Sequence, residues 1–136
     1  MDNIIRFNNI EFNRLGIGTY NFGFDYENEK RIILEAFKNG VFMIDTAEMY
    51  ENGKSEVAIG KSIKEIKRNR LFIIGKILPN NINNYLDSCK SSLKRLNIDY
   101  FDLYLLHWKD NVKLDDFVNK MEHLKALGLI KNSFFF

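Results

Sequence analysis

Apolar positions in this chain gather into runs that stop at ionisable residues. Three such runs stand out: Val41-Phe-Met-Ile-Asp45, Leu71-Phe-Ile-Ile-Gly-Lys76 and Tyr100-Phe-Asp-Leu-Tyr-Leu-Leu-His107. Asp45, Lys76 and His107 fall at equal intervals of 31 residues. A strand–helix–strand unit takes roughly 30 residues, so the interval predicts one such unit repeated. Runs this apolar on both faces predict strands buried on both faces, as in a parallel sheet covered by helices.

Between the runs the period changes from two to 3–4. Ile33, Ala36 and Phe37 share a helical face after Asn28, a candidate N-cap, and before Gly40, a candidate stop. A turn at Asn52-Gly53 leads to Ser55, a candidate cap, and to the stripe Val57, Ile59, Ile63, Ile66. Two further stripes follow: Tyr85, Leu86, Cys89, Leu93, Leu96, and Leu114, Phe117, Val118, Met121, Leu124 before Gly128. Ahead of the first helix, Ile4–Phe7 and Ile10–Phe12 around Asn8-Asn9 read as a hairpin. Leu15–Thr19 reads as the first parallel strand, and Leu129-Ile130 begins like a fifth. The expected organisation is one α/β domain over 1–136: a hairpin at 1–13, four βα units at 14–128, and the start of strand five with an atypical Phe-rich tail at 129–136. A closed (βα)8 barrel typically takes about 250 residues, so the expected fold is a half-barrel of the TIM type, cut near strand five.

Composition narrows the function classes. The 136 residues carry a net charge of +2, which points to neither nucleic acid nor a membrane surface as partner. The basic run from Lys61 to Arg70 reads as the solvated outer face of a helix. Cys89 is the single cysteine; its phase with Leu86 and Leu93 marks it as a small core residue. No leader-like apolar segment opens the sequence, and a cytoplasmic location is the expectation.

Parallel strands place Asp45, Lys76 and His107 on one sheet edge, at the carboxyl ends where α/β barrels carry their chemistry. Tyr50 follows Asp45 closely. A tyrosine is too weak an acid at neutral pH unless a nearby cation favours its anion. Lys76, held by Asp45, could supply that cation, and His107 could orient a carbonyl oxygen. The set suits protonation of an oxygen on which negative charge develops, as in reduction of an aldehyde or ketone. The hydride must come from outside, since no side chain donates one. Taken singly, each residue also has a plain structural reading: a turn cap, a solvated strand end, a satisfied histidine, a loop aromatic. A metal site built from Asp45, Glu48 and His107 lacks paired ligand spacing. No Gly-x-Ser-x-Gly elbow or Gly-x-Gly-x-x-Gly loop is present.

Four motifs together carry a resemblance: Gly16-Ile-Gly-Thr-Tyr20, Asp45-Thr-Ala-Glu-Met-Tyr50, Lys76 before Leu78-Pro79, and Asp102-Leu-Tyr-Leu-Leu-His107-Trp108. In order and spacing they resemble the aldo/keto reductases, from about Ile5 to Lys131. The resemblance implies a (βα)8 barrel whose N-terminal hairpin closes the bottom, and reduction of small carbonyl substrates with NADP(H) and no metal. It implies Tyr50 as general acid, Lys76 and Asp45 as the partners that ease its ionisation, and His107 as the carbonyl-orienting group. Gly18, Thr19 and Asp45 would border the nicotinamide, and Tyr20 and Trp108 would line the substrate pocket. Family members continue beyond a pair like Lys131-Asn132 with segments that hold the nicotinamide amide and the adenosine phosphates. The sequence therefore resembles a catalytic N-terminal half, expected to be impaired alone and prone to self-association through open sheet edges. A non-catalytic reading, as a fragment or as a binding module like the potassium-channel β subunits, stands beside it.

Overall fold

The computed structural model describes residues 4–7 and 10–135. The expected turn at Asn8-Asn9 and the last residue of the Phe-rich tail lie outside them. A hairpin of β1 (Ile4–Phe7) and β2 (Ile10–Asn13) comes first. Then β3 (Gly16–Gly18), β4 (Met43–Asp45), β5 (Phe72–Ile77), β6 (Phe101–Leu106) and β7 (Ile130–Phe134) form one parallel sheet in chain order. The crossovers carry α1 (Tyr26–Lys38), α2 (Lys54–Ser62), α3 (Tyr85–Leu96) and α4 (Leu114–Ala126). No helix among the described residues is long and apolar enough to cross a membrane.

The alternation within strands decides which face meets the helices. Ile44, Ile73 and Ile77 are fully buried in a core shared with Ile59, Leu93, Leu96, Phe117, Met121 and Leu124. Each such side chain contributes about 1.5–3 kcal/mol by leaving water. Asp45, Ile74 and Lys76, one position out of phase, lie on the opposite face. Cys89 is buried in the core as its phase predicts; burial pushes its thiol up to about 12, with Glu56 and Glu48 adding to the effect. Helices α2 and α3 approach backbone to backbone at Gly60, where a Cβ would stand 2.6 Å from the Leu96 carbonyl oxygen.

Several local expectations are corrected. The fifth strand is more than a start, and the sheet has five strands among the described residues: Ile130–Phe134 pairs along β6 from Phe101 to Leu105, and the Phe135 ring packs on Phe117 at 5.4 Å. The tail residues thus complete a strand and its anchor, and the sheet edges are β3 and β7. The first helix is capped by Asp25, whose carboxylate accepts from the Asn28 N–H at 3.2 Å, so Asn28 sits inside the first turn. Gly53, at φ +85°, precedes α2, and Ser55 lies within it. Helix α2 ends at Ser62, so the basic run is not a helix face. Arg68 turns inward instead and donates to the Leu71 and Tyr100 carbonyls and, at 2.6 Å, to Asp102. These tertiary partners override the helical propensity of the segment.

Candidate active site

Register brings the ionisable groups to one rim. Gly18 pairs with Asp45, and Lys76 pairs with Leu105 two positions before His107. The His107 N–H donates to the Ile77 carbonyl at 2.9 Å, extending the ladder to the residue just past Lys76. Tyr50 opens a 3-10 turn, Tyr50–Gly53, that continues from the loop after β4. Within this turn Glu51 and Asn52 hold positive φ, and Gly53 makes room for the Arg95 guanidinium, 2.6 Å from where its Cβ would be. Arg95 in turn donates to the fully buried Glu56 at 2.6 Å, which locks the turn to α3.

Lys76 is the hub. Its ammonium donates to Asp45 Oδ1 at 2.5 Å, to the Thr46 carbonyl at 3.0 Å and to the Tyr50 hydroxyl oxygen at 3.2 Å. The Tyr50 ring meets His107 edge-on, with centroids 5.7 Å apart, and meets Tyr20 in the same manner at 5.5 Å. Trp108 packs edge-on against His107 at 5.0 Å. Tyr20 and Trp108 are exposed and flank the pair. Burial first, then the Lys76 charge, push the His107 imidazole below its ordinary value, against the pull of Asp45 and Glu48. Its Nδ1 is buried with no hydrogen-bond partner among the described residues.

The structure thus brings Asp45, Tyr50, Lys76, His107, Tyr20 and Trp108 together. Gly18 joins them at the rim, with open space where a side chain would stand. Thr19 differs: it is fully buried, and its hydroxyl donates to the Asp45 carbonyl at 2.9 Å. Ser55, expected as a cap, donates to the Thr19 carbonyl at 2.8 Å and lies 3.0 Å from its hydroxyl. These buried hydroxyls hold Asp45 from beneath. Sequence reasoning named Thr19 beside the nicotinamide and Ser55 as a cap, and missed their contact because a pairing 36 positions apart leaves no periodic signal. It also passed over Glu29, whose carboxylate accepts three N–H groups, from Gly23, Phe24 and Asp25. That contact shapes the loop between Tyr20 and α1, as a capping carboxylate does. Glu48, considered for metal binding, points its carboxylate at Leu78, Asn81 and Ser88.

Residues 14–133 match the Aldo/keto reductase family. The chain is 36% identical to "Methylglyoxal reductase YeaE" of Escherichia coli over 86% of its own length and 43% of that protein's. It is 33% identical to a putative voltage-gated potassium channel subunit beta of Schizosaccharomyces pombe, over 76% of this chain and 34% of that one. A crystal structure of an aldo/keto reductase from Klebsiella pneumoniae in complex with NADP and acetate superposes with a TM-score of 0.89 at 32% identity, covering 99% of this chain and 50% of that one. The chain spans about half the length, or less, of the proteins it matches.

Proposed function

This chain belongs to the aldo/keto reductase family, and we propose that it supplies the acid–base groups for NADP(H)-dependent reduction of aldehydes and ketones. The observation that carries this reading is the Lys76 ammonium, hydrogen-bonded at once to Tyr50 and Asp45. Tyr50 gives its hydroxyl proton to the carbonyl oxygen as negative charge develops there. The Lys76 ammonium stabilises the phenolate left behind, and Asp45 holds Lys76 in place. His107, kept neutral by burial and by Lys76, offers an imidazole N–H that orients the carbonyl oxygen. Tyr20 and Trp108 present aromatic walls to a small substrate. The rim fits the nicotinamide end of the cofactor: Gly18 is open beside Asp45, with Thr19 fixing the Asp45 backbone beneath. When bound, NADP(H) supplies the hydride.

Positioning of the reacting groups can account for roughly 7–11 kcal/mol of a barrier. Tyr50, Asp45, Lys76 and His107 act on oxygen and do not hold the hydride donor. We propose that these 136 residues alone bind NADPH weakly and turn over negligibly. Titration with NADPH followed by assay on a generic aldehyde tests that statement; micromolar binding with turnover would overturn it. The chemistry is tested in a chimera in which this chain replaces the matching segment of the Escherichia coli relative. Expected is NADPH-dependent aldehyde reduction that Tyr50→Phe abolishes. A folded chimera equally active with Phe at that position would sink the assignment of the acid.

A second reading, a non-catalytic binding module, is favoured by the similarity to the potassium channel subunit beta. It expects cofactor binding in the chimera with no reduction, and no effect of Tyr50→Phe.

A further inference from the structure

Glu48 stands three residues after Asp45 and two before Tyr50, on the loop that delivers the tyrosine. Its carboxylate is not turned to water. Oε1 accepts from the Leu78 N–H at 2.7 Å and from Asn81 Nδ2 at 2.9 Å, and Oε2 accepts from the Ser88 hydroxyl. The three donors come from three places: the backbone just past β5, the 3-10 turn Pro79–Asn84, and α3. Leu78 lies two residues beyond Lys76. The side chain therefore bridges the two segments whose functional ends meet at the Lys76–Tyr50 contact. Between the Lys76 ammonium bonds and this bridge, the backbone ladder thins from a Thr46 N–H to Ile74 carbonyl bond at 2.9 Å to a Glu48 N–H to Lys76 carbonyl contact at 3.5 Å. Hydrogen bonds to a charged acceptor are about twice as strong as neutral ones, so at Glu48 this bridge outweighs the backbone contact.

We infer that Glu48 is a positioning residue, which pins the Asp45–Tyr50 loop to the β5–α3 connection and thereby sets the Tyr50–Lys76 and Tyr50–His107 geometry. This rests on the reading of Tyr50 as the acid of the site. Glu48 reaches the reacting oxygen through Tyr50 and does not touch substrate. Its negative charge also bears on His107, which is faced by Lys76 on β5, Asp45 on β4, Tyr50 on the following turn and Trp108 beside it. A glutamine satisfies the same donors: its carbonyl takes Leu78 and Asn81, and its amide donates to the Ser88 oxygen. An alanine satisfies none.

The test needs neither cofactor nor substrate, so its outcome is independent of the aldehyde assay. In the purified chain, NMR follows the Tyr50–His107 ring contact, amide exchange at Leu78 and the titration of the His107 imidazole. Glu48→Ala is expected to abolish the ring contact and speed Leu78 exchange roughly tenfold or more. Glu48→Gln is expected to keep both and to lower the His107 midpoint, because one neighbouring negative charge is gone. A Glu48 that did not position Tyr50 would leave the ring contact intact in Glu48→Ala. Should Glu48→Ala fail to fold, Glu48→Gln and Ser88→Ala carry the test. A ring contact unchanged in Glu48→Ala, or in Ser88→Ala should Glu48→Ala not fold, would overturn the inference.

Discussion

Tyr50 and His107 meet edge to face, with ring centroids 5.7 Å apart and planes at 81°. They lie on different βα units, and neither could hold the other without the parallel register between. One ring offers a hydroxyl proton and the other a ring N–H. An oxygen lodged between them would be addressed from two sides, as the proposed carbonyl reduction calls for.

The Lys76 charge is one of the two causes that hold His107 below its ordinary value; burial is the larger. Lys76→Met should therefore raise the His107 midpoint, seen by NMR titration. Linkage fixes the sign for stability. A histidine depressed in the folded state gives full stability above the unfolded value near 6.5, and that contribution falls away as pH drops through the folded value. The parent should lose stability on acidification below about pH 6.5, and Lys76→Met should lose less. A midpoint that stays put or falls in the variant would contradict the assigned cause.

Glu29 is buried and its Oε1 accepts three backbone N–H groups at 2.7, 3.0 and 3.1 Å. Glu29→Ala leaves those donors without their acceptor. A destabilisation of about 2–3 kcal/mol is expected from urea unfolding, with the Tyr20 ring losing its contact to Tyr50. A change within about 0.5 kcal/mol, the range of ordinary surface substitutions, would argue that the loop is held otherwise.

Glu56 is fully buried beside Arg95, and burial raises its carboxyl above the ordinary value despite the guanidinium. Arg95→Ala strands the carboxylate and should cost on the order of 3 kcal/mol near neutrality. A group raised in the folded state favours folding most below its unfolded value, and that advantage is lost as pH rises. The Arg95→Ala deficit should accordingly shrink as pH falls toward 4.5. A deficit independent of pH would assign the loss to packing at Gly53 instead.

Among the described residues, strands β3 and β7 each have one strand neighbour in the sheet. Parallel strands at the edges of a sheet invite pairing with another chain. We propose that the 136-residue chain self-associates at micromolar concentration, with a mass above that of one chain by light scattering. A clean monomer would count against it.

The parts of this fold that were legible in the sequence share one property: they repeat. Strand ends at 31-residue intervals and helical stripes such as Leu93 and Leu96 follow from burial, which leaves a periodic trace. What was illegible depends on single contacts between distant residues. Ser55 resembles a cap until Thr19 is beside it. Arg68 belongs to a basic run until Asp102, 34 positions on, turns it inward. The start of the fifth strand was legible at Leu129-Ile130, but its continuation was not, because Ser133 and Phe134 match no expected motif, yet β6 needs only a backbone to pair with. The meeting of Asp45, Lys76 and His107 was legible because ionisable residues coincide with strand ends, and Tyr50 follows Asp45 by five positions on the next turn.

An ammonium group has three N–H bonds, and Asp45, Thr46 and Tyr50 take all three from Lys76. The side chain is only 12% exposed. An amine so engaged shows no lone pair to an electrophile. Acylating reagents should label exposed lysines such as Lys54, Lys64 and Lys94 and leave Lys76 unmodified until the chain unfolds. In the synthetic chemist's sense, the tertiary structure serves as a protecting group, and mass spectrometry of the labelled chain would report its removal.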